Sequence, residues 1–478
     1  MSYPKLIHHG ATETVTGSCH QLCLDAVNSV LIDCGATQAE EKGVTAFGFS
    51  PSSIRALLIT HVHTDHVGRI PQLLAGGYTG PILCSEPSAH LLPLVMEDIL
   101  KIQFEHDPAY VDRYLDVIRK RIIALPFDTW FDRVATDALH CTVRLQRAGH
   151  ILGSAYLECD VAYPLESRSQ RVVFSGDLGA SPAPFLPAPQ SPERADILVL
   201  ESTYGNRIHE HRSARQQRLE QLIDKALEDK GTVLIPAFSI GRTQELLYDL
   251  EDILHRKGLS GQAKAQNGGS PSADASVVDW PQLPIILDSP LASRFTAMYQ
   301  SFADYWDEAA RERLDQGRAP LGFSQLIKID THARHLQTLN YLVSTARPAI
   351  VIASSGMCTG GRIVNYLKAM LGDRRHNVLF VGYQAKGTPG AAIQEHGPGG
   401  GYVELDRERF DIQAGVSTVR GYSAHADQAQ LVQFVTGMQH WPAQIRLVHG
   451  EAGAKKSLGH VIERKYALQK RAVELIIP

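Results

Sequence analysis

The segment Thr60-His61-Val62-His63-Thr64-Asp65-His66-Val67-Gly68-Arg69 crowds three imidazoles and a carboxylate into positions 61–66. Imidazole nitrogen and carboxylate oxygen are donors that a borderline cation such as zinc accepts. Three or four ligands satisfy one ion, so this density, with more donors downstream, points to two. His150 lies in Ala148-Gly149-His150-Ile151-Leu152-Gly153-Ser154, where the glycines permit close backbone turns. Asp177 lies in Ser175-Gly176-Asp177-Leu178-Gly179, and His449 in Val448-His449-Gly450-Glu451. Together they make a set for two ions: His61, His63 and His150 on one, Asp65 and His66 on the other, Asp177 bridging, and His449 closing the second.

Strands must position these groups. The apolar run Ala56-Leu57-Leu58-Ile59 precedes the histidine cluster and reads as a buried strand stopping at a loop. The same pattern recurs where Val30-Leu31-Ile32 leads to Asp33, Val172-Val173-Phe174 to Ser175-Gly176-Asp177, Ile197–Leu200 to Glu201, and Ile445–Val448 to His449. Functional groups at strand ends predict a layered α/β protein with its site along a sheet edge. In the middle of the chain, strands at 232–235, 285–287, 350–352 and 378–381 alternate with helices from about Arg242, Leu291 and Arg362. That alternation predicts a mostly parallel sheet in a second, inserted domain. The expected boundaries are 1–200, 201–396 and 397–478, with the Gly397-Pro398-Gly399-Gly400-Gly401 break as return linker. The polar Gly/Ser/Ala-rich stretch 261–276 is expected to be a surface loop.

Bulk properties narrow the class. The 478 residues are 44% hydrophobic, which suits two soluble domains. Neither a signal-peptide pattern nor a bilayer-length apolar run is visible, so a cytoplasmic protein without membrane contact is expected. Seven cysteines, odd in number and never spaced as CxxC, argue against a disulfide framework and against thiolate metal ligation. The net charge of −4 means that any nucleic-acid contact must come from a local basic groove. Aromatic residues make up 7% and form no base-stacking signature, so sequence-specific readout is not expected.

The order of these motifs resembles the metallo-β-lactamase superfamily. Asp33 in Leu31-Ile32-Asp33-Cys34-Gly35 matches its first motif, HxHxDH its second, and His150 and Asp177 its next two. Glu201-Ser202-Thr203-Tyr204-Gly205, Tyr422-Ser423-Ala424-His425-Ala426-Asp427 and Val448-His449-Gly450-Glu451 resemble the three motifs of the β-CASP nucleases within it. Further similarity lies in Pro236–Leu246, Ser354-Ser355-Gly356-Met357 and Gly387-Thr388. The matches run in order from Thr16-Gly17-Ser18 to Glu451.

The resemblance implies an αββα metallo-β-lactamase sandwich with an inserted Rossmann-like β-CASP domain. It also implies a ribonuclease with two zinc ions, although manganese or iron suits the same nitrogen and oxygen donors. Asp33 would be structural support, as carboxylates behind metal ligands are. A histidine in the third motif is similar to the RNA-processing branch, and HVHTDHVGR is closer to the polyadenylation-factor endonuclease and its bacterial relatives than to ribonuclease J. Single-stranded RNA is therefore the expected partner, and a homodimer is compatible with it. Two metals would lower the pKa of a bridging water. His425, positioned by Glu201, would protonate the leaving 3′-oxygen, giving 5′-phosphate and 3′-hydroxyl ends, with Asp65 also essential to catalysis. Arg242, Ser239, Ser355, Gly356 and Thr388, in strand-end loops or at a helix start, are candidates for contacting phosphates. Histidines outside the motifs, His335 among them, are assigned surface or core roles. The alternatives are a small-molecule hydrolase on the same metal core, a non-catalytic or partner-dependent RNA-binding scaffold, and a DNA nuclease.

Overall fold

Alternation of apolar side chains along the strands accounts for the layers. In a computed structural model, which describes residues 3–36, 47–103, 108–209, 212–228, 230–266, 280–345 and 347–478, the chain forms two units. The first comprises Met1–Ile208 and Ala424–Pro478, and the second His209–Ser423.

The first unit carries two sheets. One orders the strands Lys5–His8, His20–Cys23, Ser29–Ile32, Ile54–Leu58, Ile82–Ser85 and Ile122–Leu125 as they occur in the chain. The other runs Glu474–Ile476, Gln444–Val448, Ile197–Glu201, Arg168–Phe174, Ala155–Tyr163, His140–Arg147 and Trp130–Ala135. Successive strand side chains point to opposite faces. Thus Val172, Phe174 and Val199 meet Val30, Ile32 and Leu58 between the sheets. Val173, Leu198 and Leu200 instead pack with Leu431 and Val435 of helix Gln428–Thr436 and with Leu458 and Ile462 of helix Ala452–Leu468. Helix Glu86–Gln103 packs against the strands Ile82–Ser85 and Ile122–Leu125 of the first sheet. The layers are therefore helix, sheet, sheet, helix. Each fully buried Val, Leu or Phe stabilises this sandwich by about 1.5–3 kcal/mol, which holds the strand ends rigidly where the chemistry lies.

The second unit is built on a six-stranded parallel sheet ordered Leu326–Lys328, Ile285–Asp288, Ala349–Ala353, Thr232–Pro236, Asn377–Phe380, Gly415–Thr418. Its inner strands Ile285–Asp288, Ala349–Ala353 and Thr232–Pro236 are buried throughout. Strands covered on both faces need no polar alternation, which is why they read as continuous apolar runs. Helices begin at Arg242, Pro290 and Gly361, within a residue of the expected starts.

Three expectations differ from the structure. The return to the first unit was placed at 397, yet it falls between Ser423 and Ala424. The glycine run forms a short 3-10 turn, Gly397–Gly399, followed by the hairpin Tyr402–Leu405/Glu408–Asp411 and the strand Gly415–Thr418. That last strand pairs with Asn377–Phe380, so hydrogen bonding to a sheet edge outweighs the turn signal. At the other junction, Glu201 ends a strand of the first unit, and the second begins at His209. Residues 261–266 of the expected loop continue the helix Arg242–Gln266, and 267–276 lie outside the described residues.

Candidate active site

The strand Ile54–Leu58 delivers His61, fully buried, and then His63 caps the short helix Thr64–Val67, which carries Asp65 and His66. His63 Nδ1 lies 3.1 Å from His61 Nε2 and 3.2 Å from His150 Nε2. Asp177 Oδ2 approaches the same two Nε2 atoms, at 3.5 Å for His61 and 3.6 Å for His150. The other oxygen of Asp177, Oδ1, faces His66 Nε2 at 3.3 Å and His449 Nδ1 at 3.6 Å. Asp65 Oδ2 stands 3.3 Å from His449 Nε2 and 3.9 Å from His66 Nε2. Donor atoms within 4.8 Å of one another therefore form three groups, His61/His63/His150/Asp177, Asp65/His66/His449 and Asp177/Glu201/His449, with Asp177 touching the donors of all three.

Two close turns bring His150 and Asp177 together. Gly149 has φ +70°, and a Cβ on Gly179 would sit 1.8 Å from its carbonyl oxygen, so only glycine fits there. His449 itself adopts φ 49°, with its backbone N–H donated to Ala11 and its Nδ1 3.2 Å from Thr203 Oγ1.

Asp33 lies behind the donors. Its Oδ1 accepts the Thr60 backbone N–H at 2.8 Å, and its Oδ2 accepts the Thr60 hydroxyl at 2.8 Å and the Ser18 hydroxyl at 3.3 Å. The same Oδ2 lies 2.7 Å from His66 Nδ1, which aims Nε2 of that ring at Asp177. Sequence reasoning gave no role to Thr60, Ser18 or Thr203. All three lie in motifs quoted above, but the residues they support, Asp33 for Thr60 and Ser18 and His449 for Thr203, are 15 to 246 positions away, so the motifs marked the segments and not these contacts.

The electrostatics favour cation binding. Burial holds His61 and His150 well below the usual imidazole range and His63 down at about 4, so these rings are neutral donors near pH 7. Burial would raise Asp65 and Asp177, but neighbouring imidazoles, chiefly His66 and His449, keep both below the ordinary carboxylate range. Burial would also lower His66, yet the carboxylates Asp177, Asp33 and Asp65 draw a proton onto it. The carboxylates thus demand positive charge that a cation can supply. His66 Nε2 and Asp177 Oδ1 are buried, and among the described residues neither has a hydrogen-bond partner. Leaving such atoms unmet costs about 1–3 kcal/mol each, and a cation between them removes that cost. By ligand type and convergence the residues fit a metal centre.

Beside this cluster stands a second pairing. Glu201, 1% exposed, accepts the backbone N–H of Leu178 at 2.8 Å, and both its oxygens lie 3.3 Å from His425 Nδ1. A β-bridge between Gly179 and His425 fixes the backbone, and His425 Nδ1 is 3.8 Å from Asp177 Oδ2. Burial opposes the charge on this imidazole, but Glu201 and Asp177 push its pKa up to about 9. A histidine kept protonated beside the carboxylate cluster can donate a proton there.

The remaining candidates lie in the second unit, in loops at the carboxyl ends of its parallel strands or at the helix start that follows. Ser239 and Arg242 follow Thr232–Pro236, Ser355 and Gly356 follow Ala349–Ala353, and Thr388 comes after Asn377–Phe380. Arg242, 9% exposed, is paired with Glu245 one helical turn on. Thr388 caps the helix Pro389–His396, accepting the Ala391 N–H at 3.3 Å. Ser355 Oγ lies 3.2 Å from Thr359 Oγ1, and the Gly356 carbonyl accepts from Gln384 Nε2 at 2.9 Å.

Comparison with known proteins agrees with this geometry. Family models match at 28–237 (metallo-beta-lactamase superfamily), 243–393 (Beta-Casp domain) and 409–477 (Zn-dependent metallo-hydrolase RNA specificity domain). Ribonuclease TTHA0252 of Thermus thermophilus is 33% identical over 96% of both chains. The chain belongs to the β-CASP family of metallo-hydrolases. Transcription termination factor FttA of Methanosarcina mazei is 28% identical over 97% of this chain and 69% of its own length. FttA of Pyrococcus abyssi is 32% identical over 87% of this chain and 60% of its own. The β-CASP insertion into the metallo-β-lactamase fold explains why residues 201 and 425 share one site. Among the described residues of this β-CASP protein, no helix is long and apolar enough to cross a membrane.

Proposed function

We propose that this protein is a metal-dependent ribonuclease that hydrolyses phosphodiester bonds in single-stranded RNA, with His425 as the proton donor to the leaving 3′-oxygen. The observation that carries the reading is the Glu201–His425 pair set 3.8 Å from the carboxylate of Asp177. Small-molecule hydrolysis on a metal core would not by itself account for a second, charged histidine held there. The resemblance to Ribonuclease TTHA0252 over 96% of the chain supports RNA as substrate.

His61, His63, His150 and Asp177 Oδ2 would hold one ion, and Asp65, His66, His449 and Asp177 Oδ1 the other. When bound, two divalent ions supply a nucleophilic water at neutral pH and Lewis acidity toward the phosphoryl oxygens. Zinc suits these donors, as do manganese and iron. Asp33 keeps His66 oriented by accepting its Nδ1 proton. Glu201 accepts the Nδ1 proton of His425, which fixes the ring and keeps the other nitrogen, Nε2, protonated. As a water oxygen bonds to phosphorus and loses its proton to solvent, the bond from phosphorus to O3′ breaks and Nε2 would give its proton to that oxygen, leaving a 3′-hydroxyl and a 5′-phosphate.

The test is cleavage of single-stranded RNA labelled at either end by protein of measured metal content, with matching DNA, a lactone and Asp65→Ala alongside. RNA cleavage by the wild type alone supports the reading, and mononucleotides or discrete fragments report exonuclease or endonuclease action. Untouched RNA with a metal-loaded wild type would sink it, and lactone hydrolysis without RNA cleavage would replace it with a small-molecule hydrolase.

A further inference from the structure

The second unit contains a cavity of about 720 Å³ at the opposite end of its sheet from the loops carrying Ser239, Ser355 and Thr388. Its walls come from residues entering the strands: Lys230 before Thr232–Pro236, Leu283 and Pro284 before Ile285–Asp288, and Arg347 before Ala349–Ala353. Ligand sites commonly span about 300–1,000 Å³, so the size suits a small molecule or a few units of a polymer.

The helix His332–Thr345 closes one side. Arg334, Gln337, Thr338 and Tyr341 line the cavity, and their spacing of three, four and seven residues puts them on one helical face. The sheet-facing stripe of this helix is His335, Leu339 and Leu342, and the largely exposed face beside it presents guanidinium, amide, hydroxyl and phenol groups to the cavity. Opposite it the cavity is apolar, with Ile286 and Ile327, and both Ile327 (41%) and Tyr341 (48%) are exposed.

Charge is equally uneven. Lys230, Arg334 and Arg347 are basic, whereas Glu228 is the one acidic side chain among the described lining residues. Among the described residues, none of the three cations pairs with a carboxylate. Cations at Lys230 and Arg347 complement the nearby helix C-termini, but Arg334 stands in the first turn of its helix, where the dipole disfavours it. An anion offsets that cost. From Arg334 to Tyr341 the helix rises about 10 Å, so basic groups flank an aromatic ring along an elongated slot.

We propose that this cavity is a second nucleotide-binding site, taking a base against Tyr341 with phosphates toward Arg334 at one end and Lys230 and Arg347 at the other. A stacking surface between separated cations is how proteins hold a nucleotide strand without reading its sequence. The choice of ligand rests on the ribonuclease reading, and its source is either a stretch of an RNA strand or a short released product.

The experiment is photo-crosslinking to the metal-loaded full chain. The probes are a 5′-phosphorylated, phosphorothioate-linked dinucleotide bearing 4-thiouridine and a longer single-stranded RNA with the same base. Peptide mapping should find label on His332–Thr345. Arg334→Glu/Arg347→Glu should abolish that label and weaken dinucleotide binding at least about tenfold. Cleavage of a small phosphodiester should stay unchanged in the variant, and Tyr341→Ala should lower the labelling with the charges intact. Label confined to other peptides, or indifferent to charge reversal in a variant with wild-type circular dichroism, overturns the proposal. Label from the long RNA alone identifies strand binding, and equal label from the dinucleotide identifies product binding. Since labelling needs no cleavage, a wild type that labels here but cuts nothing would defeat the ribonuclease reading and leave this site standing.

Discussion

Both units bury an aspartate beside histidine, and they treat it differently. Asp288, fully buried in the second unit, accepts from Arg362 Nη1 at 2.6 Å on Oδ1, and on Oδ2 it meets Tyr366 OH at 2.6 Å and His335 Nδ1 at 2.7 Å. The other nitrogen of His335 lies 2.9 Å from Asn365 Nδ2. Both oxygens of Asp288 and both ring nitrogens of His335 thus have a protein partner. Asp177 in the first unit is as deeply buried, yet its Oδ1 and His66 Nε2 are left unmet. A closed network is finished by folding, whereas an open one is finished by a ligand. His335 is thus satisfied within the core, as its place outside the motifs suggested, whereas Asp177 keeps an oxygen that a ligand can meet.

The sharpest way to break this contrast is Asp177→Ala. Activity on RNA is expected to fall by about 10⁴-fold or more, together with loss of bound metal by elemental analysis. Unchanged metal content would remove Asp177 from the proposed ligand set. His425→Ala should lower kcat about 10²–10⁴-fold while leaving the metal content unchanged, and metal loss in that variant would move His425 from proton donor to ligand. On the other side of the comparison, Asp288→Ala should destabilise the second unit by about 3–5 kcal/mol in denaturant melts, since it strands Arg362 and His335. Metal content should not change, and a fall in bound metal would end the distinction between the two aspartates.

Chelation separates the units more gently. Removing ions present at 100–1,000 times their dissociation constant should destabilise the first unit by about 2.7–4.1 kcal/mol per ion and leave hydrogen exchange in the second unmoved. The smallest effect concerns pH. Burial holds His376 below its ordinary pKa of 6.5, with Asp373 opposing and Arg375 adding to the shift, and its Nδ1 accepts the Thr232 N–H at 3.0 Å. The unfolded chain therefore binds this proton more readily, so the second unit should lose stability as pH falls below 6.5. His376→Asn, which keeps an acceptor without titrating, should flatten the melting temperature between pH 7 and 5. An unchanged slope would exclude His376 as the cause.

Much of the first unit was legible in the chain because strands ending in polar residues are local signals. The strands at 30–32, 172–174, 197–200 and 445–448 appear with the expected termini, give or take one to four residues. The return at 397 was misread because turn-forming glycines mark a bend and not which sheet the next strand joins. Arg242 was read as a phosphate donor, and its pairing with Glu245 depends on a rotamer that spacing does not reveal.

The sequence by itself determined that His61, His63, Asp65 and His66 share one turn, because a strand end and a four-residue helix leave them no room to separate. It also carried the family through motifs spread from Asp33 to His449. Only the tertiary structure decided that Asp177 faces both donor groups, that Glu201 holds a histidine 224 positions away, and that a polar helical face meets an apolar wall in the second unit. Those outcomes come from sheet order and layer packing, which bring distant segments within hydrogen-bond reach, and no local pattern encodes that distance.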